Sequence, residues 1–209
     1  TLLSFSERGR TQYSVFQIFN GAVASASLVD LSWGGRLRIG PEAVEVINAE
    51  PTGKPHLDRV LAAIGAGEAG PASYWTRLSR TPLPDLRATV REDLLQSGAL
   101  SESRGRKLLV LPSVRYLPEW GQWNGAADQV RQTLLGPVTD DLRRQVLAVL
   151  VDVSGLIYEY CDAKNLRAAR EQSEALQALL CVSPAADRAV ALALQGAMAA
   201  RTEWTRTGT

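Results

Sequence analysis

The chain has 209 residues, 45% hydrophobic and 22% charged, with a formal net charge of +1, which excludes the disordered and fibrous classes. A chain of this size hides roughly 70% of the surface its unfolded form exposes, so a core forms without metal or disulfide support. His56 is the only histidine, which removes most acid–base and metal chemistry.

In chain order, the polar segment Ser6–Thr11 reads as a turn. Val15, Phe16, Ile18, Phe19, Val23, Leu28 and Leu31 then recur at helical steps, with small alanines between them, up to a stop at Gly34-Gly35. Alternation in Arg36–Ile39 and Val44–Ile47 around Gly40-Pro41 predicts a short hairpin. After the breaker Pro51-Thr52-Gly53, the stripe Leu57, Val60, Leu61, Ile64 predicts a helix ending at Gly65. The glycine-rich stretch Gly65–Gly70 lacks the Lys-Ser/Thr pair of a phosphate loop and reads as a connector. Pro71–Ser79, with Trp75 and Leu78, reads as a short helix.

From Leu83, apolar Leu86, Val90 and Leu94 recur every four residues to Gln96, and Gly98 stops the helix. Ala99–Ser103 and Lys107–Leu111 predict a second hairpin turning at Arg104-Gly105. The remainder predicts helices at about 121–135, 140–160, 163–180 and 185–201, with Thr139 and Ser183 as N-caps or N-terminal flanks. The run Val146–Val151 with Val153, Leu156 and Ile157 is apolar almost all round and marks a central helix enclosed by the others. The fold class is therefore mostly α: a single helical domain over 1–209 with a central buried helix and one or two short β-hairpins.

No apolar run reaches the roughly 20 residues of a spanning helix. Cys161 and Cys181 have no CxxC spacing and read as buried apolar residues; with no signal-peptide pattern at the start, they predict a reducing, cytoplasmic setting. Lacking a Cys–His pair, a nucleophile elbow or a metal-ligand set, the sequence assigns no catalytic residue, no metal and no cofactor. His56, beside Pro55 near a helix start, reads as a surface or capping residue.

Arginine supplies all the basic residues except Lys54, Lys107 and Lys164, which suits bidentate pairing with phosphate or carboxylate, although codon bias yields the same pattern. Between Arg77 and Lys107 seven basic residues face four acidic ones. Arg87 and Arg91, four apart, share a helix face offset from the apolar stripe. They are the candidate anion-binding residues; pairing with Asp85, Glu92 or Asp93 on a solvated face is the alternative. Trp120 and Trp123 read either as interfacial indoles or as packing at a helix start. A sequence pI near 7.7 lacks the field of a dedicated DNA binder, often above about 9.

Several segments, in order, resemble the Golgi phosphoprotein 3 family. The motif from Pro51 to Leu61 matches its PTG, three variable residues, LD and apolar pattern. Leu28–Leu31 with Gly35–Leu37, Tyr74–Ser79, Arg87–Leu100, Arg115-Tyr116 and Arg143–Tyr160 follow in place. The resemblance implies a mostly helical, non-enzymatic, cytoplasmic peripheral membrane protein. Its implied partners are anionic membrane phospholipid, phosphatidylinositol 4-phosphate in eukaryotic members, and membrane-protein clients that it sorts as an adaptor. An apolar hairpin for membrane contact and homo-oligomerisation is implied as well, and no nucleic acid. Of the family's headgroup pocket, one basic position falls on Arg87; the others fall on Pro84, Ala24 and about Val15, so generic anionic-lipid binding is the expectation. A winged-helix-like nucleic-acid binder, suggested by the helix-then-hairpin order, and a self-associating interaction protein are the alternatives.

Overall fold

A computed structural model describes residues 2–6, 16–39, 44–65, 86–107 and 111–182, and near the end 190–191, 194–195 and 197–198. Helix α1 (Phe16–Trp33) buries Ala22, Val23, Ala24, Leu28, Val29 and Leu31, so it is enclosed on several sides as its composition predicts. Its buried hydroxyls are satisfied within the helix, Ser25 donating to the Gly21 carbonyl at 2.8 Å and Ser27 to that of Val23 at 2.9 Å. Gly35, at φ 67°, closes the helix: its N–H reaches Ser32 and that of Arg36 reaches Leu31. Strands β1 (Leu37–Ile39) and β2 (Val44–Val46) pair antiparallel, with Leu37 opposite Val46.

The Pro51–Gly53 breaker becomes a turn locked from inside the next helix, α2 (Pro55–Gly65). Thr52 donates to Asp58 Oδ1 twice, from its backbone N–H at 2.6 Å and its hydroxyl at 2.7 Å. Gly53 at φ 77° occupies the left-handed region, and the Lys54 N–H returns to the Thr52 hydroxyl at 3.1 Å. Proline at the first helical position costs no hydrogen bond. Leu57, Val60, Leu61 and Ile64 enter the core, as their spacing requires.

Helix α3 (Leu86–Gln96) ends at Gly98, φ 74°. The second hairpin is longer than predicted: β3 (Leu100–Lys107) and β4 (Leu111–Pro118) pair from Leu100 opposite Pro118 to Lys107 opposite Leu111. Arg104 and Gly105 are therefore not its turn but strand residues, opposite Val114 and Ser113. The Arg-Gly pair carries turn chemistry, yet strand pairing decides where the chain reverses. Leu108, Leu109 and Val110, which join the strands, lie outside the described residues, as do all but Ser6 of the predicted turn, all but Gly65 of the connector, and the short helix at 71–79.

Helix α4 (Trp120–Leu135) begins on Glu119, which accepts from Gly121 N–H at 3.0 Å and Gln122 N–H at 2.7 Å. These bonds hold the Glu119 carboxyl below its ordinary range, so the cap operates at neutral pH and is lost as acid protonates it. The helix predicted over 140–160 is interrupted. Its main part, α5 (Leu142–Val153), is capped by Asp141 rather than Thr139. Gly155 at φ 78° then breaks the path before the single turn α6 (Ile157–Tyr160). Helix α7 (Leu166–Val182) follows, and of the last predicted helix the described residues 190–191, 194–195 and 197–198 are helical.

Helix α5 is the central one, in contact with α1, α4 and α7. Its Val146, Ala148, Val149, Leu150, Val151 and Val153 are all buried. The fold is mostly α with two small two-stranded antiparallel sheets among the described residues. The N-terminal segment is tied down by long-range bonds: Trp123 Nε1 donates to the Phe5 carbonyl at 2.8 Å, and the Tyr160 hydroxyl to that of Leu3.

Cys161 is buried, as predicted, and burial pushes its thiol up; Cys181 is only half-buried. Because the thiolate is the nucleophile, iodoacetamide at mildly alkaline pH is expected to alkylate Cys181 of the native protein at least about tenfold faster than Cys161. Equal rates, read by peptide mass mapping, would contradict this packing.

Candidate functional site

Helix α3 holds both candidate arginines and rests against the root of the second hairpin. Arg91 is half-buried, its guanidinium carbon 4.8 Å from the Tyr116 ring centroid on β4. Tyr116 in turn meets Phe5 edge-on, with centroids 6.2 Å apart. Stacking occupies the guanidinium face and leaves its in-plane N–H groups available to acceptors. Among the described residues no carboxylate forms an ion pair with Arg91. Arg87, one turn earlier, is also half-buried and already makes a contact within the fold.

Of the other positions that the resemblance assigns to a headgroup pocket, Ala24 is 1% exposed in the core and offers no polar side chain. Pro84 and Val15 lie outside the described residues. Of the three carboxylates expected as alternative partners for the arginines, Asp93 is occupied elsewhere: its Oδ2 accepts from His56 Nδ1 and, at 3.4 Å, from the His56 backbone N–H; Asp85 lies outside the described residues. His56 is thus neither a surface residue nor a cap of its own helix. It is half-buried and joins α2 to α3 across 37 residues of sequence. Asp93 supplies the anion that a helix N-terminus favours, but from a different helix. No local spacing signals such a pair.

Beyond α3, the hairpin carries charge that the sequence reading placed in a turn. Ser101 to Gly105 are exposed without alternation, so both edges of the side-chain pattern in this part of β3 meet solvent. Between Leu100 and Pro118 lie Arg104, Arg106, Lys107 and Arg115 against the single acid Glu102. Arg104 Nε meets Glu102 Oε1 at 2.5 Å, which raises the guanidinium pKa further. The register sets Arg104 opposite Val114, on the face of Tyr116, and Arg115 opposite Ser103 on the other face. Val114 is 48% exposed.

At the hairpin root the two tryptophans part company. Trp123 is in the core, while Trp120 is 55% exposed and stacks on it with centroids 5.5 Å apart. Packing is the right reading for Trp123, and only Trp120 presents an indole to the surroundings. No group of three or more His, Cys, Asp or Glu able to hold a metal ion occurs among the described residues. None of their helices is long and apolar enough to cross a membrane. No curated protein matches this sequence. The model of the Golgi phosphoprotein 3 (GPP34) family matches residues 1–198, nearly the whole chain, and the chain belongs to that family.

Proposed function

We propose that the protein is a non-enzymatic peripheral membrane protein that binds anionic phospholipid headgroups and serves as an adaptor for membrane-protein clients. The observation that carries the reading is the exposed basic stretch of the second hairpin, rooted beside Arg91 and the exposed indole of Trp120. Each cation brought to an anionic leaflet contributes about 1 kcal/mol, falling off within a Debye length. An exposed indole adds affinity at the headgroup layer. With Ala24 buried where the family's pocket has an arginine, the reading is for anionic lipid in general, phosphatidylinositol 4-phosphate being one member of that class. Family membership supports the same conclusion.

Co-sedimentation with phosphatidylcholine vesicles, with and without phosphatidylserine or phosphatidylinositol 4-phosphate, tests it. The bound fraction is expected to rise with anionic lipid and to fall with salt; equal binding to neutral vesicles rejects the proposal. Arg91→Ala is expected to weaken binding about fivefold, consistent with one cation lost from the surface. Its stability cost is expected to stay near 1 kcal/mol, the size of one cation–π contact. Arg87→Ala measures the contribution of the neighbouring charge in the same assay. A drop in melting temperature with unchanged vesicle binding would make the arginines purely structural.

A further inference from the structure

A groove of about 520 Å³ runs between the turn preceding α2 and the C-terminal half of α3, walled by Lys54, Pro55 and His56 on one side and Val90, Asp93 and Leu94 on the other. The volume suits a small molecule. Neither Arg87 nor Arg91 lines it, and the lipid reading makes no use of it. Three of its residues, Lys54, Pro55 and His56, are the variable positions of the PTG–LD motif, held in place by the Thr52–Asp58 lock.

Asp93 is the polar centre of this groove. Its Oδ2 is engaged by His56, but its Oδ1 is buried and has no hydrogen-bond partner. Buried carboxylate oxygens without a donor are rare. The Asp93 carboxylate gives this wall of the groove an acceptor, which an ammonium group complements in both hydrogen bonding and charge. Lys54 lines the same groove, is exposed, and forms no ion pair among the described residues. Val90 and Leu94 give the space between an apolar wall.

We infer that this groove binds a small zwitterion in which a short carbon chain joins a primary ammonium to an anionic group. The ammonium meets Asp93, the anion meets Lys54, and the carbons lie against Val90 and Leu94. An aminoalkyl phosphate has this chemistry, whether free in solution or as the phosphoethanolamine headgroup of a lipid.

Because His56 is the only histidine, its ring gives one set of long-range proton–nitrogen NMR correlations, a local reporter in the intact chain. Titrated O-phosphoethanolamine is expected to shift them saturably, with ethanolamine alone and inorganic phosphate alone each at least about tenfold weaker. Lys54→Ala, at an exposed position, is expected to weaken phosphoethanolamine at least about fivefold with an unchanged melting temperature. Asp93→Asn is expected to weaken phosphoethanolamine and ethanolamine alike. Retention on phosphatidylcholine vesicles only when they contain phosphatidylethanolamine, lost in Lys54→Ala, identifies the lipid headgroup; saturable binding of the soluble probe without such retention identifies a free ligand. The absence of a saturable shift, or binding untouched by Lys54→Ala, overturns the inference. Both readouts are independent of the response to anionic vesicles, so this inference and the anionic-lipid reading fail separately.

Discussion

Trp123→Ala is expected to lower the unfolding free energy by about 3–5 kcal/mol, the range for removing a large buried aromatic side chain. Trp123 is 5% exposed and does three things at once. Its indole N–H donates to the Phe5 carbonyl, its ring lies 6.1 Å from that of Tyr160 in a tilted arrangement, and Trp120 stacks on it. Truncation opens a cavity and orphans the Phe5 carbonyl, a buried acceptor worth about 1–3 kcal/mol when left unpaired. The N-terminal segment then keeps only one of its two described long-range side-chain bonds, that of Tyr160 to Leu3. Trp120→Ala removes a ring that is 55% exposed and is expected to cost about 1 kcal/mol or less. Urea denaturation of the two variants checks the contrast; similar losses would contradict the assignment of one indole to the core and the other to the surface.

Reversing charge on the hairpin is expected to have the largest effect on vesicle binding. Arg104→Glu with Arg115→Glu changes the local charge by four units, nominally about 4 kcal/mol at an anionic surface. Screening reduces this, so a loss of about 100-fold at low ionic strength is expected, shrinking as salt rises. Arg104 is 83% exposed and the Arg115 position is exposed as well, so neither change opens a cavity and folding is expected to persist. The single variants add orientation. The two arginines point to opposite faces of the ribbon, so a hairpin lying flat on the bilayer weights one of them, whereas end-on contact weights both. Unchanged binding in the double variant would remove the hairpin from the membrane contact.

Much of the architecture is legible in the residues. The stripe Leu57, Val60, Leu61, Ile64 has one periodicity and one solution, and all four side chains are buried. The all-round apolar run in Val146–Val153 marks the central helix for the same reason: no face of it tolerates water. The interruption at Ser154–Leu156 is less legible, because the apolar pattern continues through Leu156 and Ile157 while Gly155 alone carries the left-handed turn. The place of the hairpin turn is obscured in the sequence for a related reason. Arg104-Gly105 is favourable turn chemistry locally, but the register from Leu100–Pro118 carries the pairing past it.

The candidate site divides in the same way. Arg87 and Arg91 follow from a four-residue spacing on one helix, since neighbours on a helix face are fixed by its pitch. That Arg91 lies over Tyr116, and that Asp93 serves His56 rather than an arginine, depends on which elements pack together. The sequence by itself determined most of the described helices, the apolar faces they bury and the PTG turn, because these rest on contacts within a few residues. Only the tertiary structure decided the His56–Asp93 groove, the exposed and buried fates of Trp120 and Trp123, and the exposure of the basic residues Arg104 and Arg115 on the hairpin. Each depends on the approach of segments far apart in the chain, and no local spacing encodes that approach.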